Sequence, residues 1–327
     1  MARSAGVVLS KRLIFLNKSR DAELRSMQQA VDRSVGQDVV KVNSLATEIA
    51  DLTLRITAQE AISPAHELRD QRESLVTQLS KIVEVKELES GGTYQLTIGG
   101  YHPLVLDGSA RSIGVARSAA TGFLEIRAGT DDITADISGG RLGSSLALRD
   151  TYIPKYLNDL DQLAYEIAGQ VNSLHSAAYD LNGNTGADFF EPLASVSGAA
   201  RDLKLSSAVT SSLQNIAASR QATGLDNEAA ISMGNLLHAA VFSGGTVIDQ
   251  YGSFVFSVGS DAANAELQAQ QHEASVNQLE NRRQEVSGVS IDEESISILQ
   301  FQRAYEASAR VVKVVDELLQ VTLSLGA

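Results

Sequence analysis

The distribution of proline constrains this chain more than any other sequence feature. All four prolines lie between residues 64 and 192, so the flanks 1–63 and 193–327 contain none. Because proline breaks the interior of a helix, both flanks can form long uninterrupted helices. The 327 residues are 43% hydrophobic and include no cysteine, which is compatible with a sizeable core that uses neither disulfides nor thiolate metal sites.

The N-terminal flank carries two apolar seams that each repeat every seven residues. The first contains Val35, Val42, Ile49 and Ile56, and the second contains Val31, Leu45 and Leu52 with Asp38 as its polar member. Interleaved seams of this kind are typical of coiled coils. After a turn at Ser63-Pro64 comes a second amphipathic run, which contains Leu68, Leu75, Leu79 and Ile82. The two runs predict a helical hairpin over about residues 22–85.

The middle of the chain has a different composition and hydrophobic pattern. Residues 91–143 contain eleven glycines, and short alternating runs at 93–98, 104–106 and 123–127 lie between them. This pattern predicts antiparallel β-hairpins over about 86–150. Further helices are predicted at about 154–179, 227–242 and 248–284.

The last helix has a clear start and an apolar stripe. Ser290 and Glu293 form a capping box at its beginning. The stripe repeats every seven residues and consists of Ile291, Ile298, Tyr305, Val312 and Leu319, with Phe301 and Val315 on the adjacent seam. It must be buried, either against the same chain, where residues 248–284 are the candidate partner, or against other chains. We treat these seven residues as the candidate assembly interface.

These patterns together predict a mainly α protein with a small β region. The expected architecture is a long helical-hairpin or coiled-coil bundle with inserted antiparallel β-hairpins. Residues 1–245 would form a mixed helical and β body, and residues 246–327 would form long C-terminal helices for assembly.

Net charge argues against nucleic acid as a partner, and the lack of long apolar segments argues against a membrane. The net charge of −13 disfavours a general nucleic-acid binder, because neutralising phosphates requires an excess of lysine and arginine. No segment is long and apolar enough for a membrane span, and the N-terminus does not have the pattern of a secretory signal. The charge is uneven: residues 1–25 hold six basic and two acidic side chains, whereas residues 261–327 hold eleven acidic and five basic ones. A solvated surface accounts for this unevenness most simply.

The sequence offers little evidence for catalysis or metal binding. The five histidines are scattered, and neither a phosphate-binding loop nor a nucleophile elbow occurs, so no enzyme activity is predicted. One loop resembles a calcium loop in its spacing, through Asp180, Asn182, Asn184, Gly186, Asp188 and Glu191. Its sixth position is Thr185 instead of glycine. An ordinary turn, pinned by Phe189 and Phe190 in an apolar pocket, explains the loop better.

The last helix also carries a family resemblance. The segments 288–294 and 299–312, which read GVSIDEE and LQFQRAYEASARVV, resemble the C-terminal motif of bacterial flagellar axial proteins. Rod, hook and first hook–filament junction proteins share this motif. The segments 42–46, 49–52, 68–76, 79–85, 91–94 and 182–190 resemble the hook-associated protein 1 (FlgK) family more specifically. This similarity runs from about residue 10 to the end of the chain.

The resemblance implies a structural subunit of the bacterial flagellum, of the axial-protein fold type and without a cofactor. Such subunits form a ring between hook and filament, outside the cell. They leave the cell through the flagellar type III export channel, without a cleaved signal. The implied partners are the hook protein, a second junction protein or flagellin, and an export chaperone at the C-terminal tail. The alternatives are another axial protein of the hook or rod type, a soluble coiled-coil adaptor, or a wall hydrolase.

One departure from the family concerns the N-terminus. Family members begin with a further helical segment, which includes an N-I-A-N-x-x-T-P-G-Y-like stretch and pairs with the C-terminal helix. In this chain the similarity starts near Arg3 or Ala5, inside what would be the domain after that segment. We therefore expect a fragment, an internally started product or an atypical member, whose export and incorporation need testing.

Overall fold

The structure is a computed structural model that describes residues 2–223, 226–242, 245–287 and 291–325. The chain forms two compact units, Met1–Phe256 and Ser257–Ala327. Long helices and two small antiparallel sheets confirm the predicted class, a mainly α protein with a small β region. The predicted functional division at residues 245–246 stays a prediction.

Helix α1, Ala2–Glu60, occupies the proline-free N-terminal flank. With about 1.5 Å of rise per residue, its 59 residues span roughly 88 Å. The predicted apolar seam is buried, because Val35, Val42 and Ile49 have no exposed surface. Asp38 is also buried, and its carboxylate accepts a hydrogen bond from Nε of Arg141 at 3.0 Å. The polar member of the seam therefore has a partner of opposite charge.

Helix α2, His66–Ser80, packs back against α1 and forms the predicted hairpin. Arg69 fastens the turn end of the hairpin, because its Nη2 donates to Oε2 of Glu60 at 2.9 Å. The hairpin explains only part of the burial of α1. The same seam of α1 also contacts the β region, which the heptad pattern alone did not indicate.

Seven short strands form the β region. In the four-stranded antiparallel sheet, the order is β1 (Val85–Ser90), β2 (Thr93–Ile98), β3 (His102–Leu106) and β4 (Ser109–Ala110). The three-stranded sheet contains β5 (Ile113–Arg117), β6 (Leu124–Ala128) and β7 (Asp131–Asp132). Apolar side chains from both sheets join the α1–α2 core, among them Leu96, Ile98, Leu104, Val105, Ile113 and Ile126.

The turn between β3 and β4 requires glycine. Gly108 has a φ of +79°, a conformation that residues with a side chain rarely adopt. A Cβ atom at this position would lie 2.4 Å from Cδ2 of Leu54 on α1. The backbone of the sheet therefore approaches α1 as closely as the atoms allow.

A buried arginine lies where the β region meets the helices that follow it. A π-helical segment, Leu148–Tyr152, joins α3 (Gly140–Ala147) to α4 (Ile153–Ser176) and carries Arg149, which is 2% exposed. Segments of this type distort a helix locally and often mark a special position.

Arg149 links three parts of the molecule. Its Nη1 donates to Oδ1 of Asp32 on α1 at 2.7 Å and to the carbonyl of Leu124 on β6 at 2.8 Å. The same Oδ1 accepts the N–H of Leu124 at 2.8 Å. Gln28 of α1 donates to the carbonyl of Arg149 at 2.8 Å. The buried charge therefore has two carboxylate partners, Asp32 and the adjacent Asp150, and these hydrogen bonds offset the cost of its desolvation.

Among the described residues, five further α-helices follow α4. They are α5 (Ala199–Asp202), α6 (Ser207–Ser211), α7 (Glu228–Asn235), α8 (Val247–Ser287) and α9 (Ile291–Leu325). Helix α7 is shorter than the predicted 227–242, because turns replace the helix after Asn235. After these turns, Phe242 is buried against Leu163 and Ile167 of α4.

The first unit contains a three-helix packing around α4. Leu13 of α1 and Val247 of α8 both pack against a small core formed by Leu163, Ile167 and Phe242. This packing buries an apolar face of α4, as expected for a helix at the edge of a core.

The loop after α4 is held by a buried histidine. His175 has no exposed surface, its Nδ1 lies 2.5 Å from the carbonyl of Ala187, and its Nε2 accepts the N–H of Ala217 at 2.9 Å. This geometry requires a neutral ring with the proton on Nδ1. Burial lowers the pKa of His175, and weaker effects of the Ala187 hydrogen bond and of Asp188 oppose it.

Removing the Arg149 guanidinium is expected to destabilise the protein strongly. Arg149→Ala leaves Asp32 buried without its partner, so we expect the free energy of unfolding to fall by about 3–5 kcal/mol. Urea denaturation followed by circular dichroism measures this change. Arg201→Ala is the matched control, because Arg201 pairs with Asp202 on the exposed surface and should change stability little. Equal effects of the two substitutions would contradict the role of Arg149.

His175 is expected to make the fold sensitive to mild acid. The imidazole of His175 binds its proton more weakly in the folded state than in the unfolded chain, where the pKa of histidine is about 6.5. The contribution of His175 to stability is therefore complete above that pH and is lost as the pH falls below it. His175→Gln should reduce the slope of stability against pH in this range, whereas the exposed His238→Gln should not. An unchanged slope in His175→Gln would contradict this assignment.

Candidate assembly surface

Helix α9 provides the largest part of the predicted interface. Residues 291–325 contain neither glycine nor proline, so nothing in this segment interrupts the helix. The helix begins at Ile291, where the sequence predicted a start. Ser290 of the predicted capping box lies outside the described residues, and the side chain of Glu293 is likewise not described.

The apolar stripe of α9 faces solvent. The exposed fractions are 52% for Ile298, 76% for Phe301, 77% for Tyr305, 68% for Val312 and 48% for Val315. Ile291 and Leu319 belong to the helix, but their side chains lie outside the described part of the chain. Five of the seven predicted interface residues thus form one exposed surface, which we call the α9 stripe.

Within its own compact unit the α9 stripe is not shielded by α8. Side chains 262–285 of α8 are all exposed, and in α9 the side chains 295–315 are exposed apart from half-buried Ser297. The partial pairing that the sequence suggested between the tail and residues 248–284 is therefore not found among these described residues. Burying a large apolar side chain contributes about 1.5–3 kcal/mol, so this stripe holds a substantial driving force for association.

The calcium-like loop forms ordinary turns in the structure. Oδ1 of Asp180 accepts the backbone N–H groups of Asn182 at 2.7 Å and Asn184 at 2.9 Å. Burial acts to raise the pKa of Asp180, but these hydrogen bonds outweigh it and leave the pKa below its usual value. Oε1 of Glu191 accepts the N–H of Ser207 at 3.1 Å. Both carboxylates thus already accept hydrogen bonds from backbone N–H groups.

The aromatic residues after this loop are buried as the turn hypothesis requires. Phe189 is 6% exposed and Phe190 is 1% exposed, and their rings contact each other edge to face. Oδ1 of Asn172 accepts both of their N–H groups, at 2.9 and 2.8 Å. Among the described side chains, no group of three or more histidine, aspartate or glutamate residues could hold a metal ion. Calcium binding by Asp180, Asn182, Asn184, Asp188 and Glu191 stays an untested idea.

A further polar contact, between His102 and Asp136, was not predicted from the sequence. Nε2 of His102 lies 3.1 Å from Oδ2 of Asp136, and the ring of Tyr101 packs on the imidazole. His102 and Asp136 are 34 positions apart, so spacing gave no signal of this contact. The pair ties β3 to the short helical turn at Thr134–Asp136.

A second exposed apolar surface was also missed. Val8, Leu9, Phe15 and Leu16 of α1 are between 52% and 68% exposed. Their spacing of seven residues was available in the sequence, but only the structure shows that the opposite side of α1 is the one that packs.

None of the described helices is long and apolar enough to span a membrane.

Two protein-family models match the chain. The model of the flagellar hook-associated protein FlgK helical domain matches residues 3–190. The model of the flagellar basal body rod FlgEFG protein C-terminal region matches residues 280–325. The second match contains the whole α9 stripe.

Individual proteins show the same similarity. The flagellar hook-associated protein 1 of Bacillus subtilis is 27% identical over 339 residues, which cover 92% of this chain and 67% of that protein. The Salmonella typhimurium protein of the same name is 33% identical over 200 residues, and the match covers 58% of this chain and only 36% of that protein. The flagellar hook junction protein FlgK from Burkholderia pseudomallei superposes with a TM-score of 0.53 at 25% identity, covering 58% of this chain and 36% of that structure.

Substitutions in the α9 stripe are expected to leave the stability of the isolated chain unchanged. Phe301→Asp and Tyr305→Asp affect side chains that are at least 76% exposed, so the free energy of unfolding should change by less than about 0.5 kcal/mol. Phe190→Ala is the contrast, because it empties a buried site and should cost about 3–5 kcal/mol. Thermal and urea unfolding measure both effects. A large loss of stability in Tyr305→Asp would show that the stripe packs within its own chain.

Proposed function

Because the chain belongs to the family of flagellar hook-associated proteins FlgK, we propose that it is a structural subunit of the bacterial flagellum at the hook–filament junction. It assembles through its terminal helices and catalyses no reaction. The family model matches 3–190, more than half of the chain, and the similar proteins named above carry the same description.

The observation that carries the assembly proposal is the exposed α9 stripe. Phe301 and Tyr305 are more than three-quarters exposed, although aromatic side chains gain most from burial and are enriched at protein interfaces. The stripe repeats every seven residues, which suits packing against another helix. It also lies in the segment that resembles the C-terminal region of rod proteins, so an axial structure is the appropriate partner.

The proposed partners follow from a position between two filament segments. One side of the subunit would contact the hook protein, and the other a second junction protein or flagellin. Copies of the chain would associate laterally in a ring. Before export, a chaperone would cover the C-terminal tail, since an exposed apolar helix favours non-specific association. The proposed location is the extracellular flagellum, reached through the flagellar export channel, and neither membrane insertion nor nucleic-acid binding forms part of the proposal.

A second axial role remains a weaker candidate. The match of residues 280–325 to rod proteins concerns a C-terminal region common to several axial subunits, so it fits a hook-type or rod-type subunit equally well. The match of residues 3–190 favours the junction subunit, because that model describes the FlgK helical domain specifically.

Binding to purified hooks tests this proposal directly. The chain would be added to hooks isolated from a strain without its own junction protein and examined by negative-stain microscopy. We expect decorated hook tips with the unmodified chain and at least tenfold fewer with Tyr305→Asp, because the new charge would have to be desolvated in the interface. Ala307→Asp is the matched control on the opposite side of α9 and should decorate normally.

The two halves of the proposal fail separately. Undecorated hooks with the unmodified chain would contradict the junction role. Equal decoration by Tyr305→Asp and the unmodified chain would contradict the α9 stripe as the interface, and would leave the junction role standing.

A further inference from the structure

Strand β1 forms an open edge of the four-stranded sheet. Among the described residues, β2 is the one strand that pairs with β1, and it lies on one side of it. Residues 86–90 of β1 are all exposed. A strand in this position presents backbone N–H and C=O groups that can pair with a further strand. The side of β1 that faces away from β2 is called the β1 edge below.

The register of the sheet shows which backbone groups point toward the β1 edge. Tyr94 of β2 faces β3, because its N–H donates to Oδ1 of Asp107 at 2.9 Å and its carbonyl accepts the N–H of Asp107 at 2.9 Å. Tyr94 lies opposite Glu89 of β1. Opposite residues of an antiparallel pair exchange both hydrogen bonds or neither, and the two kinds of pair alternate. Glu87 and Glu89 therefore both direct their N–H and C=O groups away from β2.

The fold covers a comparable position in the second sheet but leaves the β1 edge open. At the start of β5, the side-chain amide of Asn43 donates to the carbonyl of Ile113 at 2.8 Å and accepts its N–H at 2.9 Å. Among the described residues, Glu87 and Glu89 have no such partner for their outward backbone groups. Two N–H and two C=O groups are thus available to an added strand.

The β1 edge lies at the turn end of the α1–α2 hairpin. Arg69 binds both Glu60, the last residue of α1, and Glu89 of β1. The whole length of α1, roughly 88 Å, separates Glu60 from Ala2. The exposure of this edge is therefore a property of the hairpin end of the molecule, remote from the packing around the first turns of α1.

The side chains along the β1 edge define the chemistry of a partner. Residues 84–90 contain three acidic side chains and one basic side chain. Successive side chains of a strand point to opposite faces, so Glu87 and Glu89 share one face and Leu88, which is 61% exposed, lies on the other. Opposite charges and apolar pairs stabilise neighbouring strands. A fitting strand therefore places a basic side chain opposite Glu87 and an apolar one opposite Leu88.

A second β1 strand does not meet this requirement. The antiparallel register that would pair all the outward groups of two β1 strands sets Glu87 of each copy opposite Glu89 of the other. Like charges directly opposite each other destabilise a pair of strands. The occupant is therefore a different segment, and a cationic one.

We propose that the β1 edge binds an extended segment of another protein in which basic and apolar side chains alternate. The segment adds a strand to the sheet. Its backbone hydrogen bonds to Glu87 and Glu89 supply the affinity, and its alternating side chains supply the specificity. This inference does not rest on the proposed function, and it involves neither the α9 stripe nor contacts between copies of the chain.

A synthetic peptide with this alternation tests the proposal. The probe is a fluorescein-labelled peptide with the sequence Thr-Val-Lys-Val-Lys-Val-Thr and an amidated end, and its binding to the full chain is followed by fluorescence anisotropy. We expect saturable binding. A peptide with glutamate in place of both lysines should bind at least tenfold more weakly, because it would set like charges opposite Glu87.

Backbone methylation distinguishes an added strand from simple charge attraction. In the proposed register, the N–H groups of the two lysines face β1, whereas those of the valines point away from it. N-methylation of both lysines should therefore weaken binding at least tenfold, and N-methylation of two valines should change it little. The unmethylated probe should also slow amide hydrogen exchange at Glu87 and Glu89, measured residue by residue by NMR.

A proline substitution provides the matching test on the protein. Glu87→Pro removes an outward N–H and leaves the hydrogen bonds to β2 intact, because proline is tolerated in an edge strand where its nitrogen faces solvent. Binding of the probe should fall at least tenfold. Glu87→Gln is the control, because it keeps the N–H and should weaken binding only a few-fold. Thermal unfolding checks that both variants fold, and the methylated peptides decide the question with the unmodified chain if Glu87→Pro does not.

Three results would each overturn the proposal. The first is the absence of saturable binding by the unmethylated probe. The second is equal affinity of the lysine-methylated and valine-methylated peptides, which would show that no strand is added. The third is unchanged binding to a folded Glu87→Pro variant. None of these results bears on hook-tip decoration, so the proposed function is tested independently.

Discussion

The contact between Arg149 and Asp32 connects parts of the first unit that lie far apart in the sequence. Asp32 lies on α1, Arg149 on the π-helical segment before α4, and the guanidinium also binds the carbonyl of Leu124 on β6. The two residues are 117 positions apart. A charge that is 2% exposed tolerates few alternative arrangements, because each of them would break its ion pair with the buried Asp32. This contact therefore fixes where the β region and α4 meet α1.

Helix α1 is the element that these contacts organise. Its middle, from Val35 to Ile56, packs on α2 and the two sheets, whereas its first part packs on α4 and α5. One helix of 59 residues thus serves two cores. Its length is possible because proline is absent from this flank. Its position depends on buried polar contacts, such as Asp38 with Arg141, that an apolar seam alone would not specify.

The proposed assembly role depends on exposed helix surfaces, above all on the α9 stripe. A chain that leaves the α9 stripe in water gives up free energy that association can recover. Monomeric proteins rarely keep such surfaces without a partner. A structural subunit, in contrast, needs surfaces that stay available until assembly. The lack of a metal-binding group of side chains in the described part of the chain is compatible with this role and is not required by it.

Local patterns in the sequence indicated the elements well. The heptad seam predicted a helix from about residue 22, whereas α1 already begins at Ala2. The alternating runs predicted strands β2, β3 and β6, and the resemblance of the last helix indicated the flagellar axial family before any coordinates. Patterns failed where the answer depended on distant neighbours. The continuation of α7 to residue 242 was wrong because burial of Phe242 against α4 favours turns. The partial pairing of the tail with 248–284 was not found among the described side chains, although both segments have helical sequences.

The sequence by itself thus determined the types of element, the long proline-free helices and the seven-residue stripe from Ile291 to Leu319. Periodicity reports which residues share a side of a helix, because it depends only on the local geometry of the backbone. It does not report what covers that side. The tertiary structure decided that the stripe on α1 from Val35 to Ile56 is buried, whereas the α9 stripe is exposed, as are Val8, Leu9, Phe15 and Leu16 of α1. That choice depends on contacts between residues far apart in the chain, and local spacing carries no record of them.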